Sequence, residues 1–158
     1  TLVEDLLDKL QKAETNIEAE IIRKKIWNKW VYQVPKNLQQ NLTYALDEFY
    51  SGRLSSAEKA FTDLITRDPN YTEGWNKRAT IRYMLNDLDG SLLDIKKVLE
   101  LQPRHFGAIS GSGIIYLKKK KYKTALRFYK ILNTIDPMNN ESKIFIKLLN
   151  KLIIENTA

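Results

Sequence analysis

The sequence predicts an all-α chain of helical hairpins stacked on a 34-residue period, and three observations carry that reading. Four prolines, Pro35, Pro69, Pro103 and Pro137, follow one another at a single constant interval, which sets the period. Proline lacks an N–H and its ring collides with the preceding helical turn, so a recurring proline marks the recurring end of a helix. Small residues hold two fixed places in the period, Ala45, Ala79 and Gly113 at the first and Ala57, Ser91 and Ala125 at the second. Large apolar residues hold two more, Phe61, Ile95 and Tyr129, then Leu64, Val98 and Leu132. Small side chains on both partners let two helices cross closely, and large ones fill the layer between successive hairpins.

The elements follow in order. Residues 2–13 place Leu2, Val3, Leu6, Leu7 and Leu10 on one helical face with Glu4, Asp5 and Asp8 between them. Asn16 reads as an N-cap, and Ile17, Ile21, Ile22, Ile26, Trp27, Trp30 and Val31 trace a longer second helix ending before Pro35. On the same register Trp27 and Trp30 fall where Phe61 and Leu64 fall, yet Arg23 occupies the small position, so residues 1–35 read as a degenerate leading unit or N-terminal cap. Packing is the expectation for the two tryptophans, and an exposed binding patch is the alternative. The first full hairpin is expected at Lys36 to Ser51 and Leu54 to Arg67, turned at Gly52 in the left-handed conformation. The second runs from Tyr71 to Leu85 and Leu88 to Leu101, turned at Asn86 and Asp87. The third starts near His105 and returns from Tyr122 to Ile135. A final helix from Asn139 carries Ile144, Ile146, Leu148, Leu149, Leu152 and Ile153, with Lys147 where every full unit is small. A helix with a lysine there cannot be closed on by another partner, which makes it a capping helix.

This helix-turn-helix pattern resembles the tetratricopeptide repeat over residues 38–139. The third unit matches the family's residue types at Gly113, Tyr116, Tyr122, Ala125, Tyr129 and Pro137, and the second adds Trp75. The resemblance implies a right-handed helical-hairpin solenoid of three such units with an N-terminal helical pair. Its expected organisation is a single domain over 1–158, with a cap at 1–35, repeats at 38–71, 72–105 and 106–139, and a capping helix at 140–158.

Composition narrows the function. The 158 residues include no cysteine and one histidine, His105, so thiolate chemistry is excluded and a histidine-centred site has little to build on. No glycine-rich phosphate loop or metal-ligand spacing is present, and the expectation is a non-enzymatic protein without cofactor or metal. His105 reads as a turn or first-turn residue, and Asp63, Asp87, Asp89 and Asp94 as turn and solvent-face residues. The net charge of +7 is concentrated: Lys118, Lys119, Lys120, Lys121, Lys123, Arg127 and Lys130 lie in one acid-free stretch.

Tetratricopeptide proteins hold ligands in a concave groove lined by the first helix of each hairpin. The resemblance therefore implies a peptide-binding groove of Leu42, Leu46, Phe49, Tyr50, Asn76, Thr80, Tyr83, Met84, Ser110, Ile114, Leu117 and Lys118. A protein or peptide partner, entering as an extended peptide or amphipathic helix, is expected there. The competing occupants are the N-terminal helices of the same chain or a second copy, as a homodimer. Co-chaperones of this fold clamp a C-terminal carboxylate with lysine, asparagine and arginine; the corresponding Leu42, Leu46, Lys77, Gly107 and Gly111 do not match, so no chaperone-tail clamp is expected. The other candidate surface is the basic stripe Lys119, Lys123, Arg127 and Lys130, at helical spacing. It is either a solvated face or a site for an acidic protein, a nucleic-acid backbone or an anionic membrane surface. Tyr122 and Tyr129 within it sit at core positions and are not available to stack on bases.

A narrower resemblance runs through Trp75-Asn76-Lys77-Arg78-Ala79-Thr80, Asp94-Ile95, Pro103-Arg104-His105-Phe106-Gly107-Ala108 and Ser110-Gly111. It is to a bacterial family of small tetratricopeptide proteins, many of which begin with a secretion signal. With Thr1 at the start rather than methionine, the expectation is a preceding segment and a periplasmic or otherwise extracytoplasmic location, with the cytoplasm as the alternative.

Overall fold

Every hairpin that the proline register predicts is formed. The computed structural model describes residues 1–157, and its described residues are all-α. In chain order the helices are α1 (Leu2–Gln11), α2 (Asn16–Val31), a 3-10 turn (Lys36–Leu38), α3 (Gln39–Tyr50), α4 (Leu54–Arg67), α5 (Thr72–Met84), α6 (Leu88–Leu101), α7 (Phe106–Lys118), α8 (Tyr122–Ile135) and α9 (Asn140–Thr157). Two compact units emerge. One spans 28–103 and holds the hairpins α3–α4 and α5–α6; the other joins 1–27 to the chain from 104 onward.

Three of the turns close in the same way. Gly52, Asn86 and Lys120, each one period after the last, have φ of 73°, 63° and 57°. At each, two backbone bonds end the helix: the N–H of Gly52, Asn86 or Lys120 donates to the carbonyl of Phe49, Tyr83 or Leu117, and the next N–H donates to Glu48, Arg82 or Tyr116. Glycine takes this left-handed conformation without penalty and asparagine with little, but lysine is strained there.

In the 28–103 unit, Leu38, Leu42, Ala45, Ala57, Phe61, Leu64, Tyr71 and Ile81 form one buried cluster. At the α5–α6 crossing Ser91 Oγ donates to the Ala79 carbonyl at 2.7 Å, so the two small positions of the sequence pattern meet directly. Asp94 corrects the sequence reading. It is 2% exposed rather than on a solvent face. Arg78 grips it with two bonds of 2.9 and 2.7 Å, and Arg82 adds a third at 3.1 Å. Arg82 also reaches Glu58 at 2.9 Å and Arg78 reaches Thr62 at 3.1 Å, so this network ties α4, α5 and α6 together.

In the other unit α8 lies between α7 and α9, and α1 also packs on α8. A Cβ placed on Gly113 would stand 2.6 Å from the Tyr129 ring, closer than real contacts allow. Tyr129 is in turn stacked on Phe145 of α9 at 4.6 Å, so the crossing, the aromatic layer and the capping helix are one construction. The α9 cap is Asn139, whose Oδ1 accepts from the Ser142 N–H at 2.9 Å.

Residues 1–27 form one compact unit with the chain from 104 onward. Leu6, Leu7 and Leu10 of α1 are buried, as are Ala19, Ile22 and Ile26 of α2. Thr15, not Asn16, caps α2, its Oγ accepting from the Glu18 N–H at 3.1 Å.

Two stability outcomes follow. Ala125→Leu, at a fully buried crossing position, is expected to lower stability by ~1–3 kcal/mol in urea denaturation. An unchanged midpoint would show that the α7–α8 crossing has room. Lys120→Gly is expected to raise stability by roughly 0.5–1 kcal/mol, because relief of the left-handed strain exceeds the entropy glycine adds to the unfolded chain. A fall in the midpoint would contradict this.

Candidate functional site

Residues on the first helix of a hairpin that are not committed to its crossing or to the inter-hairpin layer are the ones that can meet a ligand. In the 28–103 unit these come from α3 and α5. Lys77 Nζ sits 5.2 Å from the Phe49 ring centre, which brings the two helices together on this face. Phe49 in turn meets Tyr50 edge-on at 5.2 Å. Tyr50 is 72% exposed and Met84 55% exposed, large apolar side chains left open to solvent. Leu46 and Tyr83 are half-buried and Thr80 is exposed. Two of the expected groove residues are not on offer. Leu42 is buried in the core cluster, and Asn76 is buried with its amide donating to Glu73 at 3.0 Å.

In the unit of 1–27 and 104 onward, the corresponding residues of α7 are Ser110, Ile114 and Leu117, all partly buried, and Lys118, exposed. Ser110 Oγ donates to Glu141 of α9 at 2.7 Å. Ile144 and Leu148 of α9 stand one period after Ser110 and Ile114, and both are exposed. This α7 and α9 face therefore combines the bonded Ser110 and the exposed Lys118 with exposed aliphatic side chains of α9. Of the basic stripe, Lys119, Lys123, Arg127 and Lys130 are all exposed, as the sequence pattern predicts.

The N-terminal segment is latched to this same unit, at the ends of its helices. Arg23 donates to Asp136, just past α8, with bonds of 2.6 and 3.1 Å, and the Asp136 side chain is fully buried. Trp27 meets His105 and Phe106 edge-on, at 5.5 and 5.3 Å between ring centres. A Cβ on Gly107 would fall 2.7 Å from the Trp27 ring, so glycine is what seats the tryptophan. His105 caps α7, its Nδ1 accepting from the Ala108 N–H at 3.1 Å, as its turn position predicts. Arg104 bonds Glu4 and, at 2.6 Å, Asp8 of α1. That hydrogen bond holds the Asp8 carboxyl below the ordinary carboxylate range, so this part of the latch contributes above the ordinary range and is lost as pH falls through the lowered value.

Sequence reasoning missed the latch because Arg23 and Asp136 are 113 residues apart. The signal was nevertheless there. Arg23 stands where the register has a small residue in every full unit, and that departure marks the position the latch uses.

Among the described residues no group of three or more His, Cys, Asp or Glu side chains is placed to hold a metal ion, and no helix is long and apolar enough to cross a membrane.

Paired antiparallel helices on a 34-residue register, with small residues at their crossings, define the tetratricopeptide-repeat fold. The chain has the tetratricopeptide-repeat fold and resembles a bacterial protein of that kind. A TPR repeat-containing protein of Rhizobium etli is 24% identical over 154 residues, covering 98% of this chain and 76% of that relative. Hsp70-Hsp90 organizing protein 1 of Glycine max is 27% identical over 137 residues, 87% of this chain, which spans only 23% of that protein's length. No protein-family model matches the chain. Among solved structures, the first TPR of Spaghetti bound to an HSP90 peptide superposes with a TM-score of 0.69 at 18% identity, over 73% of this chain and 94% of the other. The type III secretion chaperone SycD of Yersinia enterocolitica, in complex with a peptide of the translocator YopD, gives 0.65 at 14% identity, over 78% and 95%.

Breaking the latch leaves a buried carboxylate without its counter-charge. Arg23→Ala is expected to cost about 3–5 kcal/mol in urea denaturation, and Arg23→Ala with Asp136→Asn distinctly less. Equal losses in the single and double variants would show that the pair is not coupled.

Proposed function

We propose that the chain is a non-enzymatic protein-interaction module that binds a peptide on the α3 and α5 face of the 28–103 unit. The observation that carries this reading is the set of Phe49 and Tyr50 on α3 and Tyr83 and Met84 on α5, large side chains kept partly or largely in solvent above a core that buries Phe61 and Tyr71. Aromatic anchors supply most of the energy of interfaces of this kind. Similar folds support the class of ligand, since the Spaghetti and SycD structures each hold a peptide.

Ligand chemistry differs from that of a carboxylate clamp. Leu42, at a clamp position, is buried, and Leu46 offers no hydrogen bond. Lys77 lies 3.5 Å from the buried Glu73 carboxylate and against the Phe49 ring, so its charge is already partly answered. An extended peptide or amphipathic helix presenting apolar side chains fits this face better than an acidic chain terminus.

Panning the chain against a random peptide display library, then titrating the selected peptides, tests the reading. Peptides rich in large apolar residues are expected, and Tyr50→Ala with Tyr83→Ala should weaken them roughly thirtyfold or more while helicity is unchanged. Selection of no peptide, or of peptides indifferent to the double substitution, would remove the face from consideration.

A further inference from the structure

The acid-free basic stretch acquires a second property in three dimensions: it adjoins exposed aliphatic surface. Lys120, Lys121 and Lys123 line an open cleft of about 270 Å³ together with Tyr122, Thr124, Ile153, Asn156 and Thr157, so the α7–α8 turn and the C-terminal end of α9 share one surface. Ile154, next to the cleft residue Ile153, is 69% exposed. Along α8, Ile131 continues the row of Lys123, Arg127 and Lys130 at helical spacing and is also exposed. The nearby acid on α9, Glu155, lies 3.8 Å from Lys151, which offsets its charge.

We propose that this surface docks the protein on an anionic membrane, with the lysines at the headgroup phosphates and Ile154 in the boundary between headgroups and acyl chains. Lysine interleaved with aliphatic side chains is the composition of interfacial membrane binders, and it meets both parts of a lipid surface at once. A nucleic-acid strand would ask for something else. Single-stranded binders stack bases on exposed aromatic faces, whereas here Tyr129 is buried against Phe145 and Tyr116 is stacked on Phe128 at 5.6 Å. Of the bulky side chains beside the charges, Ile131 and Ile154 are the exposed ones, while Tyr122, which lines the cleft, is half-buried. Duplex phosphates would engage the lysines but leave Ile131 and Ile154 without a role. The placement of Lys120 agrees with the proposal. It holds a left-handed turn position that is glycine or asparagine in the two earlier hairpins, so a charge is kept on this turn where a less strained residue would close it equally well. The inference is independent of the peptide-binding face, which lies on other helices.

Sedimentation of the full chain with phosphatidylcholine vesicles, alone or mixed with phosphatidylglycerol, tests it. Binding is expected only where phosphatidylglycerol is present, and it should weaken from about 0.1 M to 1 M salt as the screening length falls from roughly 10 to 3 Å. A lysine near an anionic surface contributes about fivefold in partition. The triple substitution Lys120→Gln, Lys121→Gln and Lys123→Gln should therefore lower binding about a hundredfold with an unchanged circular dichroism spectrum. Ile154→Ser, which leaves every charge in place, should lower vesicle binding severalfold and leave any binding of a duplex oligonucleotide unchanged. Equal binding to both kinds of vesicle overturns the proposal. So does vesicle binding indifferent to Ile154→Ser together with displacement by the oligonucleotide, which would identify a phosphate-backbone surface instead.

Discussion

Close approach of two helices within each hairpin is the constraint from which the remainder of this structure follows. Where α5 and α6 cross, a serine hydroxyl touches the backbone carbonyl of Ala79, and where α7 and α8 cross, the Tyr129 ring lies where any side chain on Gly113 would have to be. Contacts this tight leave no space for a methyl group, and interiors packed to crystalline density cannot open a gap without losing dispersion and hydrophobic energy together. The crossing position of the last helix holds a different residue type. Lys147 stands one period after Gly113 and is exposed, while α9 packs on α8.

Charge does a different task in the two units. Asp94 and Asp136 are both buried, and each is held by paired bonds from an arginine. Burying a carboxylate costs several kcal/mol in lost hydration, and a fully bonded guanidinium roughly offsets that loss without leaving a large surplus. The net stabilisation is therefore small, and the geometric consequence is large. Asp94 accepts from two arginines one turn apart on α5, which fixes how α5 and α6 rotate against each other, while Asp136 fixes where α2 lies. Apolar packing alone would tolerate neighbouring registers of either contact; a carboxylate stranded by such a slip would not.

These two kinds of interaction differ in how far they can be read from sequence. The hairpins were legible because their determinants are local and repeated: the limits of α4, α6 and α8 agree with the positions set by proline, the small residues and the turn at Gly52 and its equivalents. Gly113 was legible for the same reason. Asp94 was misread as a solvent-face residue, although it lies between Ser91 and Val98 on the stripe that packs inward, where only an arginine partner could make it tolerable. Leu42 and Asn76 were assigned to the ligand face from the family pattern. Their burial depends on the helix rotations set by tertiary contacts, which residue spacing does not encode. The position of residues 1–27 was the least legible, since Arg23 with Asp136 and Trp27 with Gly107 are pairings across most of the chain.

What the crossings and the buried charges consume also determines what is left over. On α3 and α5 the side chains spared by both requirements include the apolar, exposed Tyr50 and Met84; in the other unit, Ser110 of α7 is bonded to Glu141 and Lys118 opens the basic stretch. A chain selected only to stack could place lysine or glutamate at all such positions, as it does on much of its outer surface. Large apolar residues held in water cost solubility and add nothing to the crossings beneath them. The N-terminal helices could have covered such residues, yet Arg23 and Trp27 anchor α2 at the ends of α7 and α8, and Ile144 and Leu148 of α9 remain exposed. The latch thus secures the N-terminal segment without closing the face of that unit, which leaves side chains that contribute nothing to folding available for contact with a partner.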